Sequence, residues 1–346
     1  LFLMGVQITE ILKRHETRID DLENKTVIVD APNHLYQFLT TIRARDGTPF
    51  TDSKGSVTSH LIGLFSRSTN LMRHGIRQIY VFDGAAPELK HKEIEQRKAI
   101  KEEAEVEYKK ALKKGDTELM RKYAGRFSRL TKDMITEAKR LLDALGMPYV
   151  DAPSEAEAQA AHMVKKGTGY AVASQDADAL LFGTPRLLRN LSITGRRKKA
   201  GTLSYAVVHP ELILLEENLK ELGISQEQLI ALCMLVGTDY NPGGIKGIGP
   251  KKALELTKRH KGDLNAMFKE AKWPETFEED WEEVFNTFTN IPVTDKYAAK
   301  WLQPDKAQLI ALLCGEHDFS EERVENTMSE LVKGQKNQKG LTDFFK

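Results

Sequence analysis

The chain has 346 residues, of which 40% are hydrophobic and 29% charged, and its formal net charge is +1. That length buries a sizeable core in one large or two medium domains, and the balance of charge excludes a globally basic nucleic-acid binder, leaving only local patches for phosphates. No apolar run approaches the ~18 residues of a membrane span and no signal peptide is visible, so a soluble, intracellular protein without a membrane partner is expected.

In chain order, Thr26 to Val29 reads as a buried strand ending in Asp30. Val57 to Met72 has helical periodicity and stops at Gly75. Ile79 to Phe82 is a second apolar strand ending in Asp83-Gly84, and Tyr170 to Ala173 a third, just before Asp176. Strands separated by helices predict an α/β fold with a mainly parallel central sheet flanked by helices. In such sheets ligands sit outside the carboxyl ends of the strands, where Asp30, Asp83 and Asp176 fall.

Between the second strand and the acidic stretch, residues 88–132 hold 14 Lys/Arg against 9 Asp/Glu, broken at Gly115-Asp116. Two projecting charged helices are expected, either a solvated hairpin or a cationic arm that handles phosphate backbones. Thr131 to Leu145 returns to the core as an amphipathic helix ended by Gly146.

The sequence from Asp151 then reads D-A-P-S-E-A-E-A, followed by D-A-D at 176–178. Glu155, Glu157, Asp176 and Asp178 form two i, i+2 pairs among small residues, with no basic residue within three positions. Ser154 with Glu157 also fits a capping box, so Glu157 is expected to cap a helix starting at Glu155, to serve the acidic site, or both. Cys233 and Cys314, far apart in apolar runs, read as buried thiols of a reducing compartment.

Gln226 to Val236 predicts an apolar helix that leads to Gly237 and Asp239. Gly244, Gly247 and Gly249 then precede Pro250-Lys251-Lys252, a turn with outward N–H groups that suits phosphate rather than a P-loop. The Lys/Gln/Gly-rich segment from Lys333 reads as a flexible tail ending in Phe344-Phe345, a docking peptide. Asp30, Asp83 and Asp239 with the two pairs make seven acids. Two unit charges ~4 Å apart repel by about 4 kcal/mol at an effective dielectric of ~20, so a cluster this acidic needs cations. All-oxygen ligands favour Mg²⁺ or Mn²⁺ over zinc, and two such ions can cleave a phosphodiester. These features together point to a nuclease.

The residues M-G-V-Q at 4–7, V-D-A and L-Y-Q-F within 29–38, V-F-D-G at 81–84, D-A-P-S-E-A-E-A at 151–158, D-A-D at 176–178, L-V-G-T-D-Y at 235–240 and G-I-G-P-K at 247–251 resemble the flap endonucleases, of the structure-specific 5′ nuclease superfamily. The stop after Phe345-Lys346 is closer to archaeal members. The resemblance implies a PIN-like 5′ nuclease fold, with a nuclease region over 4–101, an arch over 88–132 and an internal region with a helix–turn–helix over 119–261. A helical region over 262–332 and a tail over 333–346 complete it.

It implies cleavage of 5′ flaps, with 5′-3′ exonuclease activity, in Okazaki fragment maturation and long-patch base excision repair. One Mg²⁺ is expected at Asp30, Asp83, Glu155 and Glu157, and a second at Asp176, Asp178 and Asp239. Catalysis is expected to rest on Lys90, Arg97, Asp30, Asp83, Glu155 and Asp178, with Lys90 and Arg97 together on the first arm helix. Tyr36 matches a base-stacking aromatic; Arg43, Arg67, Glu155, Gly237 and Asp239 match DNA-contacting positions. Gly247, Gly249, Lys251 and Lys252 match the duplex grip, whose carbonyls in the family hold K⁺. Gln338, Leu341, Phe344 and Phe345 match the peptide that docks on the sliding clamp (PCNA). A monomer working on branched DNA is expected. The alternatives are a clamp-tethered DNA-junction binder and a relative cutting bubbles or four-way junctions. Pro32-Asn33-His34 beside Asp30 departs from the family, where small residues are commoner, and Asn70 replaces a basic residue.

Overall fold

The structure is a computed structural model that describes residues 5–44, 47–191, 195–198 and 205–342. Nine strands are present among these residues: β1 (His15–Glu16), β2 (Thr26–Asp30), β3 (Arg77–Phe82), β4 (Tyr149–Asp151), β5 (Ala171–Ala173), β6 (Arg186–Arg189), β7 (Gly195–Lys198), β8 (Tyr205–Val208) and β9 (Glu211–Leu214). Seven of them form one sheet in the order β1-β9-β6-β5-β2-β3-β4, and β7 pairs with β8 as a separate hairpin. The pairs β2/β3, β2/β5, β3/β4 and β5/β6 are parallel, while β9 runs antiparallel to β6 and β1. The expected mainly parallel sheet is borne out.

Alternation along the strands explains the two cores. Val27, Val29, Tyr80 and Phe82 face one layer, and Ile28, Ile79 and Val81 the other, all almost fully buried. Burying an aliphatic side chain of this size contributes about 1.5–3 kcal/mol, so a strand buried on both faces needs helices on both sides. One layer takes α1 (Ala31–Thr41), α2 (Ser59–Arg73) and, after the two helices of the arm, α5 (Lys132–Ala144). The other takes α6 (Ala156–Lys165), α7 (Asp178–Leu181) and, beyond α8 (Leu215–Leu222), α9 (Gln226–Val236) and α10 (Pro250–His260).

The chain runs from β2 outward to β3 and β4, then crosses back to β5 and β6 on the other side of β2. The reversal lies between β2 and β5, so it opens a crevice at their carboxyl ends. Asp30 closes β2, Asp83 follows β3, Glu155 follows β4, and Asp176 follows β5.

The arm consists of α3 (His91–Lys114) and α4 (Thr117–Ala124), joined at Gly115 with φ +67°. It is charged outside, but Ala104, Ala111, Met120 and Ala124 are buried between its helices, so small residues supply the contact that large apolar ones would give elsewhere. Lys90 is not on the long helix as expected; it ends a single 3-10 turn (Glu88–Lys90) and stands at the N-cap of α3.

Past α10, short helices reach Thr289, and Met267, Phe268, Trp273, Val284 and Phe288 join the core of α9. Residues 291–305 then run as a strap without helix, inside the span from 262 to 332 that was expected to be a helical region. Its polar groups are satisfied by the body: Gln159 and Thr294 exchange two bonds of 2.8 Å, and Leu302 N donates to Gly146 O at 2.8 Å. The final helix spans Glu321–Thr342, extending through the segment expected as a flexible tail. Lys and Gln are good helix formers, and the helix propagates past Gly334 and Gly340 at roughly 1 kcal/mol each. No helix among the described residues is long and apolar enough to cross a membrane.

Candidate active site

Six of the seven acids hang from the carboxyl edge of the sheet or the helix starts behind it, and Asp239 enters from the turn after α9. Asp30 caps α1 by accepting from Asn33 N at 3.1 Å, and its other oxygen accepts from Ser174 Oγ at 3.0 Å. Ser174 Oγ also lies 3.3 Å from Glu157 Oε1, so its single hydroxyl proton, at the end of β5, is shared between the two acids on β2 and α6. Asp83 accepts from Ala156 N at 2.8 Å, and Asp178 from Val6 N at 2.8 Å. Gly5 lies against the acids: a Cβ there would stand 2.7 Å from Asp178 Oδ2 and 2.8 Å from Asp176 Cβ. Glycine is required there both for this approach and for its φ of +78°.

The expected capping box does not form. Glu155 is the N-cap of α6 without a side-chain cap bond, and Ser154 Oγ instead donates to Ala85 O at 2.9 Å. Glu157, in the first turn, is thereby turned toward Ser174 and the acids rather than back along its own helix.

Two cations from the arm reach the cluster. Lys90 Nζ lies 2.9 and 2.7 Å from the two oxygens of Glu155 and 3.1 Å from Asp239 Oδ2. Arg97 Nη2 donates to Asp239 Oδ1 at 3.1 Å, and its Nε pairs with the buried Glu93. Burial would lower the Lys90 pKa, but Glu155 and Asp239 outweigh it and hold the ammonium above its usual value. Lys90, Glu93, Arg97 and Glu155 line a cleft of about 540 Å³ with Asp83, Lys101 and Arg129.

The acids repel one another in a partly dry crevice. Burial first, then Asp83, pushes Asp30 up to about 7; burial first, then Asp239, does the same for Asp178. Burial and then Asp178 raise Glu157 and Asp176 well above the carboxylate range, and burial raises Glu155. Asp83 is open to solvent at the mouth of the cleft, and the protein around it still raises it. Among the described residues no three His, Cys, Asp or Glu side chains meet closely enough to cage an ion as they stand. The set nonetheless suits a hard cation that keeps part of its water, because such an ion needs only one or two direct carboxylates.

Among the described residues, none of the remaining expected ones lines this cleft. Tyr36, on α1, has Lys101 Nζ 5.0 Å from its ring centroid. Arg43 donates to Gly47 O at 2.7 Å and bonds Ser128 at the foot of the arm; Arg67 is exposed on α2. Gly237 has φ +114°, and a Cβ on it would meet Gly244 N at 2.7 Å, so the turn after α9 packs backbone on backbone. A Cβ at Gly247 or Gly249 would meet nothing within 4 Å, which leaves that backbone open ahead of Pro250, Lys251 and Lys252 at the start of α10. Gln338 and Leu341 lie within the last helix, while Phe344 and Phe345 fall outside the described residues.

Sequence reading did not single out Ser174, Glu93 or the amide of Val6. Asn33 was noticed only as a departure. Its side chain donates to Asp176 Oδ2 at 2.6 Å.

Comparison with known proteins accords with this geometry. The XPG N-terminal domain matches residues 4–104 and the XPG I-region residues 146–239. Flap endonuclease 1 of Pyrococcus abyssi is 55% identical, over 95% of this chain and 94% of its own. Flap endonuclease 1 of Pyrococcus furiosus is 52% identical, over 99% of this chain and 100% of its own. Among solved structures, flap endonuclease-1 from Methanococcus jannaschii superposes with a TM-score of 0.76 at 42% identity, covering 96% of this chain and all of that one. The catalytic core of Rad2 in complex with DNA substrate gives 0.65 at 26% identity, over 92% of this chain and 96% of its own.

Proposed function

Because the chain belongs to the flap endonuclease family of structure-specific 5′ nucleases, we propose that its seven clustered acids hold two Mg²⁺ ions that serve cleavage of 5′ flaps. The chain is a nuclease that hydrolyses DNA phosphodiesters where single strand meets duplex. The observation that carries the proposal is the crevice itself: carboxylates from β2, β3, β5, α6 and the turn after α9 share one edge with two arm cations already on them.

Asp30, Asp83, Glu155 and Glu157 would hold one ion, and Asp176, Asp178 and Asp239 the other. Their all-oxygen chemistry fits Mg²⁺, or Mn²⁺ in its place. When bound, the ions supply Lewis-acid stabilisation of the charge that develops on the phosphodiester. Raised carboxylate pKa values fit this reading, since a cation is what would return buried acids to their ionised form. Lys90 and Arg97 are close enough to leave Glu155 and Asp239 for the scissile phosphate and stabilise its charge in the transition state. Tyr36 offers a face on which a base can stack, once Lys101 yields.

Arg43 and Arg67 would hold the DNA beside the arm. The open backbone at Gly247 and Gly249, with Lys251 and Lys252, would grip duplex phosphates, and K⁺ on the turn's carbonyls would aid it. Gln338, Leu341, Phe344 and Phe345 would dock on a sliding clamp. A monomer acting with the replication machinery inside the cell completes the reading.

Labelled 5′-flap, nicked and four-way substrates, each with Mg²⁺ or EDTA, test it. Flap cleavage that EDTA abolishes is expected. Absence of cleavage with Mg²⁺ sinks the reading, and preference for four-way junctions replaces the substrate.

A further inference from the structure

Asn33 lies in the first turn of α1, almost fully buried at 8% exposure, between the two strands where the sheet reverses direction. Its backbone N–H donates to Asp30, its side-chain Nδ2 donates to Asp176 Oδ2 at 2.6 Å, and its Oδ1 accepts from Gln175 N at 3.2 Å. The amide's orientation follows from its neighbours: a backbone N–H can only donate, so it faces Oδ1, and the carboxylate is left to Nδ2. From the other side Arg189 Nε donates to Gln175 O at 3.0 Å. The Gln175–Asp176 segment is thus held at its amide, its carbonyl and its carboxylate.

We propose that Asn33 is a positioning residue for Asp176, fixing one carboxylate oxygen across the β2/β5 crevice so that the other is presented to an ion. The proposal rests on the reading of Asp176 as an ion ligand. A neutral donor suits this task. Lysine at the same place would neutralise the carboxylate and compete with the cation, whereas an amide orients it and leaves the charge available. Carboxylates that bind metals are themselves hydrogen-bonded, and losing such a partner typically costs about 10–100-fold in affinity or activity. A shorter polar side chain at this place could not span the crevice to Asp176.

Mn²⁺ binding to the full chain without DNA, read by the electron paramagnetic resonance of free Mn²⁺, tests this on four variants. Asn33→Leu keeps the size and removes both side-chain bonds; Asn33→Ser keeps a polar group too short to reach. Asp176→Ala removes the ligand, and Asn33→Leu/Asp176→Ala closes a double-mutant cycle, with unfolding midpoints in EDTA reporting that each variant folds. Both Asn33 variants should weaken one Mn²⁺ by about tenfold or more, and the double variant should bind no worse than Asp176→Ala alone. Wild-type binding by both Asn33 variants, with loss in Asp176→Ala, overturns the proposal. So does an Asn33→Leu effect of equal size in both backgrounds. Wild-type binding by Asp176→Ala overturns instead the ligand assignment beneath it.

Discussion

Replacing Asp178 with asparagine should make the metal-free protein more stable at pH 8. In the folded chain Asp178 titrates near 7, raised first by burial and then by Asp239; unfolded, it titrates near the ordinary 3.8. Between those values the folded state keeps a proton that the unfolded state has released, so stability falls as pH rises. Below about 4 both forms are protonated and no penalty exists; above about 7 it is complete, on the order of 4 kcal/mol for this gap. The substituted amide would keep an oxygen for Val6 N, which now donates to Asp178 at 2.8 Å, and would carry no charge at any pH. The assay is thermal unfolding in EDTA from pH 4 to pH 8.5, wild type against Asp178→Asn. The midpoints should coincide near pH 4 and separate above it, with the variant higher by several degrees at pH 8. Adding Mg²⁺ at pH 8 should raise the wild type more than the variant, because the ion favours the ionised carboxylate. Equal slopes in EDTA, or a variant less stable at pH 8, would refute the claim that these acids are buried against their own repulsion.

Lys90→Ala removes the ammonium between Glu155 and Asp239; single-turnover flap cleavage should fall by about 10²–10³-fold while DNA affinity changes little, and a near-normal rate would remove Lys90 from the chemistry. Gly237→Ala forces a side chain into φ +114° and onto Gly244 N; it should cost on the order of 1–3 kcal/mol and weaken duplex binding in fluorescence anisotropy, and an unchanged midpoint would contradict the tight turn. Deleting Lys339 to Lys346 should spare unaided flap cleavage but abolish stimulation by a sliding clamp; stimulation that persists would place the clamp contact elsewhere.

Much of this architecture could be read before any coordinates. Val27 to Val29 and Ile79 to Phe82 are short apolar runs that end in aspartate, and both are central strands. Gly75, Gly115 and Gly146 end helices with positive φ, as a residue without a Cβ allows. The strands β1, β9 and β6 on one side of the sheet escaped notice because they are two to four residues long and half-polar, leaving no period to detect. β4 was hidden by the same shortness. The strap over 291–305 has no periodicity, since side-chain and backbone bonds to distant residues hold it in place. Within the site, residue type and strand ends sufficed to collect the seven acids. The partners that orient them did not follow. Asn33 and Ser174 act across 143 and 144 positions of sequence, so only the fold brings them to Asp176 and Asp30. The misread capping box at Ser154 has the same origin: local spacing suggested Glu157, and Ala85, from another loop, took the hydroxyl.

The anomalous scattering of Mn²⁺ in crystals of this protein tests the central claim most directly. Two peaks about 3.5–4 Å apart are predicted in the crevice, one beside Asp30, Asp83, Glu155 and Glu157 and the other beside Asp176, Asp178 and Asp239. A crevice without a peak at saturating Mn²⁺, or ions bound only elsewhere, would contradict it.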